Sequence, residues 1–227
     1  SQNIVDACLN NNVSNVIALS TDKAVSPTNL YGASKLCSDK IFLSANNIKG
    51  SQNLKFSVVR YGNVFGSRGS VVPIFLDQKK NKTFNITDKR MTRFNITLKD
   101  SVDMVLWTLK NNFGSEIFIP KLKSYNILDL AKSIDEKCKI KFTGIKTGEK
   151  LHEQLLIQND TSFLIDYDKY YIQTENIQIA RKLLKKLKKA KLLKDSFTYS
   201  SDTNEYFLTS KELKKLVQDF TKSSINN

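Results

Sequence analysis

The sequence is poor in the residues that build metal sites, disulfide frameworks and membrane spans. It has three cysteines at unpaired spacings and a single histidine, His152, for which a surface or packing role is expected. No apolar run approaches the roughly 20 residues that a transmembrane helix needs, and nothing resembles a signal peptide. A GxxxxGK[ST] phosphate loop is also missing. These absences favour a reduced, cytoplasmic protein with no metal and no membrane partner.

The composition otherwise indicates a globular protein. A length of 227 residues allows one large domain or two smaller ones, and 40% hydrophobic and 26% charged residues are ordinary values. The net charge of +14 raises the possibility of nucleic-acid binding, but 31 of the 36 basic residues are lysines spread along the chain. We favour a solvated lysine-rich surface, and a non-catalytic basic binding module stays an alternative.

The arginines are distributed differently. Four of the five lie within 34 residues, at Arg60, Arg68, Arg90 and Arg93. Where lysine is otherwise preferred, local use of arginine suggests a need for its bidentate fork, as on a diphosphate. A coincidental cluster is the alternative.

Two buried-strand candidates flank a helical segment near the start of the chain. Residues 16–19 and 55–60 are typical of buried strands in a parallel sheet. The helix between them is predicted to start near residues 26–29, with Ser26 as N-cap and Pro27 in its first turn, and to end at about Asn46. A strand, a helix and a strand form the repeating unit of an α/β domain.

Further elements follow from periodicity and turn signals. Asp100 and Ser210 are expected to cap two of the helices, and the last five residues should fray. The cationic helix 181–194 could lie on an acidic membrane surface, but packing on the body of the protein is favoured. The remaining predicted helices are 2–12, 71–80, 100–110, 127–137 and 208–220, and the remaining strands are 84–87, 116–120, 139–142 and 166–171.

The stretch STDKAVSPTNLYGASK, residues 20–35, carries the strongest chemical signal. Tyr31 and Lys35 are four residues apart on a helix and therefore share one face. An ammonium beside a phenol favours the phenolate, so Tyr31 is a candidate proton acceptor. Asp22 and Lys23, at the end of the preceding strand, supply a second acid/base pair.

The loop at residues 61–73, YGNVFGSRGSVVP, is a candidate ligand loop. Its three glycines would let the backbone approach a ligand closely. Asn63, Ser67 and Arg68 are polar groups suited to a sugar or a phosphate. An ordinary glycine-rich loop is the alternative.

Five motifs in a fixed order carry a family resemblance: STDKA, NLYGASKLCSDK, SVVRYGNVFGSRGSVVP, ITDKRMTRF and GEKLHE. Together they resemble the nucleotide-sugar branch of the extended short-chain dehydrogenase/reductases. Within it, the chain looks most like the inverting UDP-N-acetylglucosamine 4,6-dehydratases, which make the first intermediate of pseudaminic acid. The TDK trio and a tyrosine at position 31 favour this group, because membrane-anchored retaining relatives usually carry methionine there.

The resemblance implies an α/β fold: the C-terminal half of a Rossmann-like parallel sheet domain plus a smaller α/β substrate-binding domain. Residues 1–63, with 92–112 packing back, would be the remainder of the NADP-binding domain. Residues 64–91 and 113–175 would bind the nucleotide sugar, and 176–227 would be a helical extension. The family's GxxGxxG turn is missing, so the sequence is expected to be a C-terminal fragment that lacks roughly one hundred residues, binds a dinucleotide poorly and is inactive in isolation.

The resemblance also implies the site residues. The catalytic residues would be Asp22, Lys23, Tyr31 and Lys35. The cofactor, NADP rather than NAD, would contact Leu19, Ser20, Tyr31, Lys35, Val64 and Arg68. UDP-N-acetylglucosamine would contact Thr21, Tyr31, Asn63, Arg68, Thr87, Arg90, Arg93, Lys146 and Glu149.

Three expectations accompany this assignment. Lys146 stands where relatives tend to carry arginine, which would reduce a bidentate diphosphate contact to a point charge. A homo-oligomer without nucleic acid is expected. A C4 epimerase or a retaining dehydratase on the same scaffold is the nearest alternative function.

Overall fold

The structure, a computed structural model, describes residues 1–157, 162–193 and 197–225. Within them the helices are α1 (Gln2–Leu9), α2 (Leu30–Ile48), α3 (Val71–Gln78), α4 (Leu98–Asn111), α5 (Ile127–Ile134), α6 (Ile177–Lys186) and α7 (Ser210–Ile225). The strands are β1 (Asn15–Thr21), β2 (Lys55–Tyr61), β3 (Thr83–Ile86), β4 (Thr92–Asn95), β5 (Glu116–Pro120), β6 (Lys123–Asn126), β7 (Lys139–Phe142), β8 (Gln154–Ile157), β9 (Phe163–Tyr167), β10 (Tyr170–Thr174), β11 (Lys191–Leu192) and β12 (Thr198–Ser200).

The chain divides into two compact units. The first contains residues 1–61, 99–121 and 154–199, and the second contains 62–98, 122–153 and 200–227. These bounds differ from the predicted domains, which placed residues 113–121 and 154–175 with the sugar-binding part. The reason is strand pairing, because β5, β9 and β10 join the same sheet as β1 and β2.

The first unit is built on a six-stranded sheet in the order β1-β2-β5-β10-β9-β11. β1, β2 and β5 are parallel, and β10, β9 and β11 add antiparallel strands beyond them. α2 connects the two parallel strands β1 and β2. The predicted α/β class with a Rossmann-like, parallel-containing sheet is therefore confirmed.

Successive residues of β2 point to opposite faces of this sheet, as the strand period requires. Val58 packs with Phe42 of α2 in one core cluster. Val59 packs with Met104 of α4 and Leu183 of α6 in the other. The five buried residues in a row in β2 are thus explained by burial on both faces of the sheet.

The second unit contains two small sheets and a helical core. β3 pairs with β7 in parallel, and β4 pairs with β6 antiparallel. Its core includes Phe75 from α3, Phe84 from β3, Leu130 from α5 and Leu213 from α7. The strand formed by residues 123–126 was not anticipated from the sequence.

Three predicted helix starts are wrong. α2 begins at Leu30, where the Asn29 side chain accepts a hydrogen bond from the Gly32 N–H, while Ser26 has a left-handed φ of 43°. α4 begins before Asp100, which lies in its first turn. In front of α7, Thr209 Oγ1 accepts from the Glu212 N–H and Glu212 Oε2 accepts from the Thr209 N–H, a reciprocal capping box.

Two predicted elements are also split. The strand predicted at residues 166–171 is a hairpin, with Tyr167 paired to Tyr170 across a turn at Asp168, whose φ is 45°. The cationic helix ends at Lys186, and Lys191 and Leu192 pair with β9 instead. Leu183 and Leu187 are buried in the core, so this helix packs on the protein body. α7 continues to Ile225, into the terminus predicted to fray. Lys194 and residues 226–227 lie outside the described residues.

Among the described helices, none combines the length and apolarity that crossing a bilayer requires.

Candidate active site

The first unit places an acidic and a basic side chain directly after β1. Asp22 is fully buried, and its Oδ1 accepts hydrogen bonds from Thr21 Oγ1 at 2.7 Å and Lys23 Nζ at 2.9 Å. Asp22 Oδ2 is buried without a hydrogen-bond partner in the described part of the chain. A buried carboxyl oxygen left in this way is costly in a purely structural role and points to chemistry.

The first turn of α2 packs on the turn that carries Lys23. Gly32 makes this possible, since a β-carbon there would overlap the Lys23 carbonyl oxygen and lie 3.0 Å from Pro27 Cβ. Asn29 fixes the direction of the helix by capping the Gly32 N–H at 2.9 Å.

Tyr31 lies in the first turn of α2, next to Gly32, and Lys35 lies one turn later. Lys35 Nζ donates to the Leu19 carbonyl oxygen at 2.8 Å. The side chains of Tyr31 and Leu19 are 57% and 52% exposed. The Gly32 contact with Lys23 and the Lys35 contact with Leu19 therefore place the start of α2 against the end of β1, which Asp22 and Lys23 follow.

A buried hydrogen-bond network stabilises the carboxyl end of β1. Asp39 Oδ2 accepts from Ser20 Oγ at 2.7 Å and from Arg60 Nη2 at 2.9 Å. The expectation that the arginine cluster serves a diphosphate is therefore wrong for Arg60, which is 6% exposed and paired inside the protein. Sequence reasoning also missed Asp39, although its position one turn after Lys35 could have indicated it.

A cavity of about 730 Å³ lies in the same unit, lined by Asp39, Arg60 and residues of α2 and β10. None of the four predicted catalytic residues lines it. It borders the turn after β1 through Ala24, Val25 and Ser26.

In the second unit, the glycine-rich loop begins with backbone contacts to the strand end at Ile96. Val64 forms a parallel bridge with Ile96, and Phe65 N donates to the Ile96 oxygen at 2.8 Å. Gly66 has a φ of 73° and packs flat against the Phe220 ring, which leaves no room for a β-carbon. Asn63 is partly buried and Arg68 is exposed. The loop is thus fixed at its start and presents Arg68 to solvent.

Arg90 lies in the turn after β3 and faces solvent. Its side chain is 62% exposed and forms a bidentate pair with Asp88, at 3.0 Å from Nε and 2.8 Å from Nη2. The hydrogen bonds from Arg90 lower the pKa of Asp88 to about 2. The guanidinium is accessible and pre-oriented.

Arg93 is placed differently. Its side chain is 14% exposed, and its nitrogens contact the carbonyl oxygens of Thr92, Lys150 and Leu151. Nε lies 3.5 Å from Glu153 Oε1.

The GEK motif forms an exposed turn. Glu149 Oε2 accepts from the Lys146 N–H at 3.1 Å, and the Glu149 N–H donates to the Lys146 oxygen at 3.0 Å. The Gly144 N–H donates to the Thr87 oxygen at 3.1 Å, which joins this segment to the end of β3. The second unit thus brings Thr87, Lys146 and Glu149 into one region.

Within the described residues, no group of three or more histidine, cysteine or acidic side chains could hold a metal ion. The site in the first unit contains acid/base groups instead.

The chain resembles several known proteins. A sequence profile of a family described as polysaccharide biosynthesis proteins matches residues 1–175. The chain is 46% identical over 224 residues to an inverting UDP-N-acetylglucosamine 4,6-dehydratase of Campylobacter jejuni, covering 96% of this chain and 67% of that protein. It is 37% identical to a UDP-glucose 4-epimerase of Rickettsia akari, over 100% of this chain and 68% of that protein.

The fold also matches a solved structure. The X-ray structure of Pen from Bacillus thuringiensis superimposes with a TM-score of 0.85 at 33% identity, over 97% of this chain and 67% of that one. The chain therefore spans about two thirds of the length of the proteins that it resembles.

Proposed function

The chain belongs to the family of polysaccharide biosynthesis proteins, and on that premise we propose that it dehydrates UDP-N-acetylglucosamine. The reaction removes water across C4–C6 of the sugar and inverts C5, giving a 4-keto-6-deoxy sugar nucleotide, as in the first step towards pseudaminic acid. The observation that carries the proposal is the Asp22–Lys23 pair, 2.9 Å apart, in a turn that packs against the helix bearing Tyr31 and Lys35. A C4 epimerase needs the tyrosine and its lysine, whereas elimination of water needs a second acid/base pair as well.

A nicotinamide cofactor, NADP by the sequence resemblance, fits the exposed surface at the carboxyl end of β1. Ligands of open parallel sheets bind outside the carboxyl ends of the strands, and Leu19 and Tyr31 are both about half exposed there. Leu19, Ser20, Tyr31, Lys35, Val64 and Arg68 would contact it. When bound, it would supply the redox chemistry by accepting hydride from C4 and returning it to C6.

Two residues of α2 handle the C4 oxygen. Tyr31 takes the hydroxyl proton as C4 becomes a ketone, and the Lys35 ammonium stabilises the phenolate. The ketone in turn acidifies the C5 hydrogen, which prepares the elimination.

The buried pair after β1 carries out that elimination. Transfer of one proton from Lys23 to Asp22 across their hydrogen bond converts the ion pair into an amine base and a carboxylic acid. Lys23 then removes the C5 proton, and Asp22 protonates the departing C6 hydroxyl, which leaves as water. Delivery of a proton to the opposite face of C5 completes the inversion.

The remaining predicted contacts belong to the UDP-sugar. They are proposed for Thr21, Tyr31, Asn63, Arg68, Thr87, Arg90, Arg93, Lys146 and Glu149. Arg68 and Arg90 are exposed, which suits contact with a diphosphate. A homo-oligomer acting in the cytoplasm is also proposed, and the three unpaired cysteines are compatible with that compartment.

Solvent deuterium incorporation tests the assignment of the base. The protein as its gene encodes it is incubated in D₂O with NADP and UDP-N-acetylglucosamine, and the product is examined by NMR. Lys23→Met should abolish deuterium at C5, whereas Lys40→Met, at a surface lysine paired with Glu175, should leave it unchanged. Undiminished exchange in Lys23→Met would reject this base.

The alternative functions give different results in the same experiment. A UDP-glucose 4-epimerase relative favours epimerisation as the second candidate, and a C4 epimer with its C6 hydroxyl intact would support it. A 4-keto-6-deoxy product with unchanged C5 would indicate a retaining enzyme. No conversion, together with retention on an anionic resin at physiological salt, would support a basic binding module.

A further inference from the structure

We propose that Asp39 is a positioning residue: together with Arg60 it fixes the face of α2 that carries Lys35 to the end of β1, two residues before Asp22. Asp39 is 2% exposed and acts through these neighbours. This inference rests on the proposed function, which gives Lys35 and the Asp22–Lys23 pair their roles in the reaction.

The Asp39 carboxylate bridges two neighbouring strands from the helix that connects them. Ser20 of β1 and Arg60 of β2 are direct partners in the parallel ladder, so their side chains leave the sheet on the same face. Asp39 Oδ2 accepts hydrogen bonds from Ser20 Oγ at 2.7 Å and from Arg60 Nη2 at 2.9 Å. One carboxylate oxygen of α2 therefore attaches the helix to both strands at the same level of the sheet.

Burial makes this attachment a strong one. The residues Ser20, Asp39 and Arg60 are only 5%, 2% and 6% exposed. Hydrogen bonds to ionised groups are strengthened where water is excluded, because water cannot replace either partner. The hydrogen bond from Lys35 to the Leu19 oxygen is exposed by comparison, and water competes for it. The buried contact of Asp39 therefore constrains α2 more strongly than the contact of Lys35 itself.

Three residues along one face of α2 contact the end of β1 and the turn after it. Gly32, Lys35 and Asp39 are spaced i, i+3 and i+7, which places them on one side of a helix. Gly32 lies against the Lys23 carbonyl oxygen, and Lys35 Nζ lies 2.8 Å from the Leu19 oxygen. Since the contact of Asp39 is the buried ionic one of the three, its loss should let this face of α2 shift, and Lys35 with it.

A purely stabilising ion pair is the other interpretation of the same contacts. A buried ion pair of that kind can be replaced by apolar residues of similar volume without loss of stability, and activity would return together with stability. In a positioning role, only a group that accepts the hydrogen bond from Ser20 restores activity. The two interpretations therefore differ in the activity of a stable variant that lacks this acceptor.

Two double variants of the protein as its gene encodes it separate these interpretations by kinetics with NADP and UDP-N-acetylglucosamine. The apolar variant, Asp39→Leu with Arg60→Met, should lower kcat about a hundredfold, because small displacements of reacting groups are costly. Its KM for the sugar nucleotide should stay within about threefold of the parent. The neutral polar variant, Asp39→Asn with Arg60→Gln, keeps an oxygen for Ser20 and should retain kcat within about threefold. Lys40→Ala, the exposed neighbour on α2, should change neither constant. Parental kcat in the apolar variant, or equal losses in both double variants, would overturn the proposal.

Hydrogen exchange without any ligand tests the hold on β1 independently of activity. The apolar variant should accelerate exchange of the protected amides of residues 18–25 about tenfold, with the amides of β10 unchanged. The neutral polar variant should leave both sets unchanged. If the apolar variant fails to fold, Ser20→Ala, which removes the bond to β1 and leaves the ion pair intact, should give the same local acceleration.

The exchange results also separate this proposal from the proposed function. Unaltered exchange at residues 18–25 in a folded variant without the Ser20–Asp39 bond, or equal acceleration throughout the unit, would overturn the hold on β1. A parent protein that converts no UDP-N-acetylglucosamine, while these amides respond as expected, would refute the proposed function and support the hold of Asp39 on β1.

Discussion

Gly32 lies against the carbonyl oxygen of Lys23, at a distance that excludes any side chain. This contact joins the helix that carries Tyr31 to the turn that carries Asp22. The proposed acid/base groups are thus held together by backbone packing as well as by their own hydrogen bonds.

Gly32→Ala should destabilise the protein, although alanine is the better helix former. Helix propensity alone would stabilise the variant by up to about 1 kcal/mol. The overlap with a backbone oxygen, which cannot rotate away, should outweigh that gain and cost about 1–3 kcal/mol. Urea unfolding measures the difference, and Ser34→Ala in the same turn should change the free energy of unfolding by less than about 0.5 kcal/mol. A variant as stable as the parent would show that α2 can move away from the turn.

The buried Asp39–Arg60 pair should contribute strongly to stability when only one partner is removed. Asp39→Ala leaves the Arg60 guanidinium buried without its carboxylate, which should cost about 3–5 kcal/mol. Asp39→Leu combined with Arg60→Met should recover most of this loss. Lys40→Ala, which breaks an exposed pair with Glu175, should cost less than about 1 kcal/mol. A small loss in Asp39→Ala would indicate that water reaches the guanidinium.

Predictions of secondary structure from the sequence are most accurate where local pattern and burial determine it. Residues 116–120, which are mostly buried, form a strand with the predicted bounds. Residues 139–142 also have the predicted bounds, although their side chains are largely exposed. Residues 16–19 and 55–60 lie in two neighbouring parallel strands. Tyr31 and Lys35 are likewise four residues apart on α2, because helix geometry is local.

Predictions from the sequence fail where contacts with residues distant in the chain determine the local structure. A lysine-rich amphipathic pattern continues past Lys186, but pairing with β9 draws residues 191–192 into the sheet. Asp168 interrupts a continuous strand pattern because it accepts a left-handed φ. The sequence does not distinguish Arg60 and Arg93 from Arg68 and Arg90. Only the fold shows that the guanidinium groups of Arg60 and Arg93 bind acceptors inside the protein.

Glu116 should lower the free energy of unfolding as pH rises, whereas a surface carboxylate paired with a lysine should raise it. Burial raises its pKa above the usual 4.5, against hydrogen bonds from Ser57 and from the N–H groups of Phe113 and Gly114. A raised folded-state pKa means that the contribution is complete below the unfolded pKa and is lost as pH rises through the folded value. The difference in free energy of unfolding between Glu116→Gln and the parent should therefore shift in favour of the variant as pH rises above about 4.5.

Glu136 is the matched control for that experiment. The hydrogen bond and charge of Lys214 lower its pKa, so its contribution is present above the unfolded pKa and is lost as pH falls. Glu136→Gln should lose stability relative to the parent as pH rises. The same trend in both variants would contradict the assignment of Glu116 as a desolvated acid.

The titration of Asp88 should report whether Arg90 turns towards a ligand. The Arg90 hydrogen bonds lower the pKa of Asp88 to about 2, and Arg90→Met should return it towards 3.8, as measured by carbon-detected NMR of the carboxyl group. Lys89→Met should have a much smaller effect, because Lys89 contributes only a weaker Coulombic interaction. Saturation with UDP should also raise the pKa of Asp88 if the diphosphate takes over the Arg90 fork, since a bidentate guanidinium cannot serve both anions fully. An Asp88 that still titrates near 2 in the UDP complex would show that Arg90 keeps its internal partner. The diphosphate contact would then have to come from Arg68, Arg93 and Lys146.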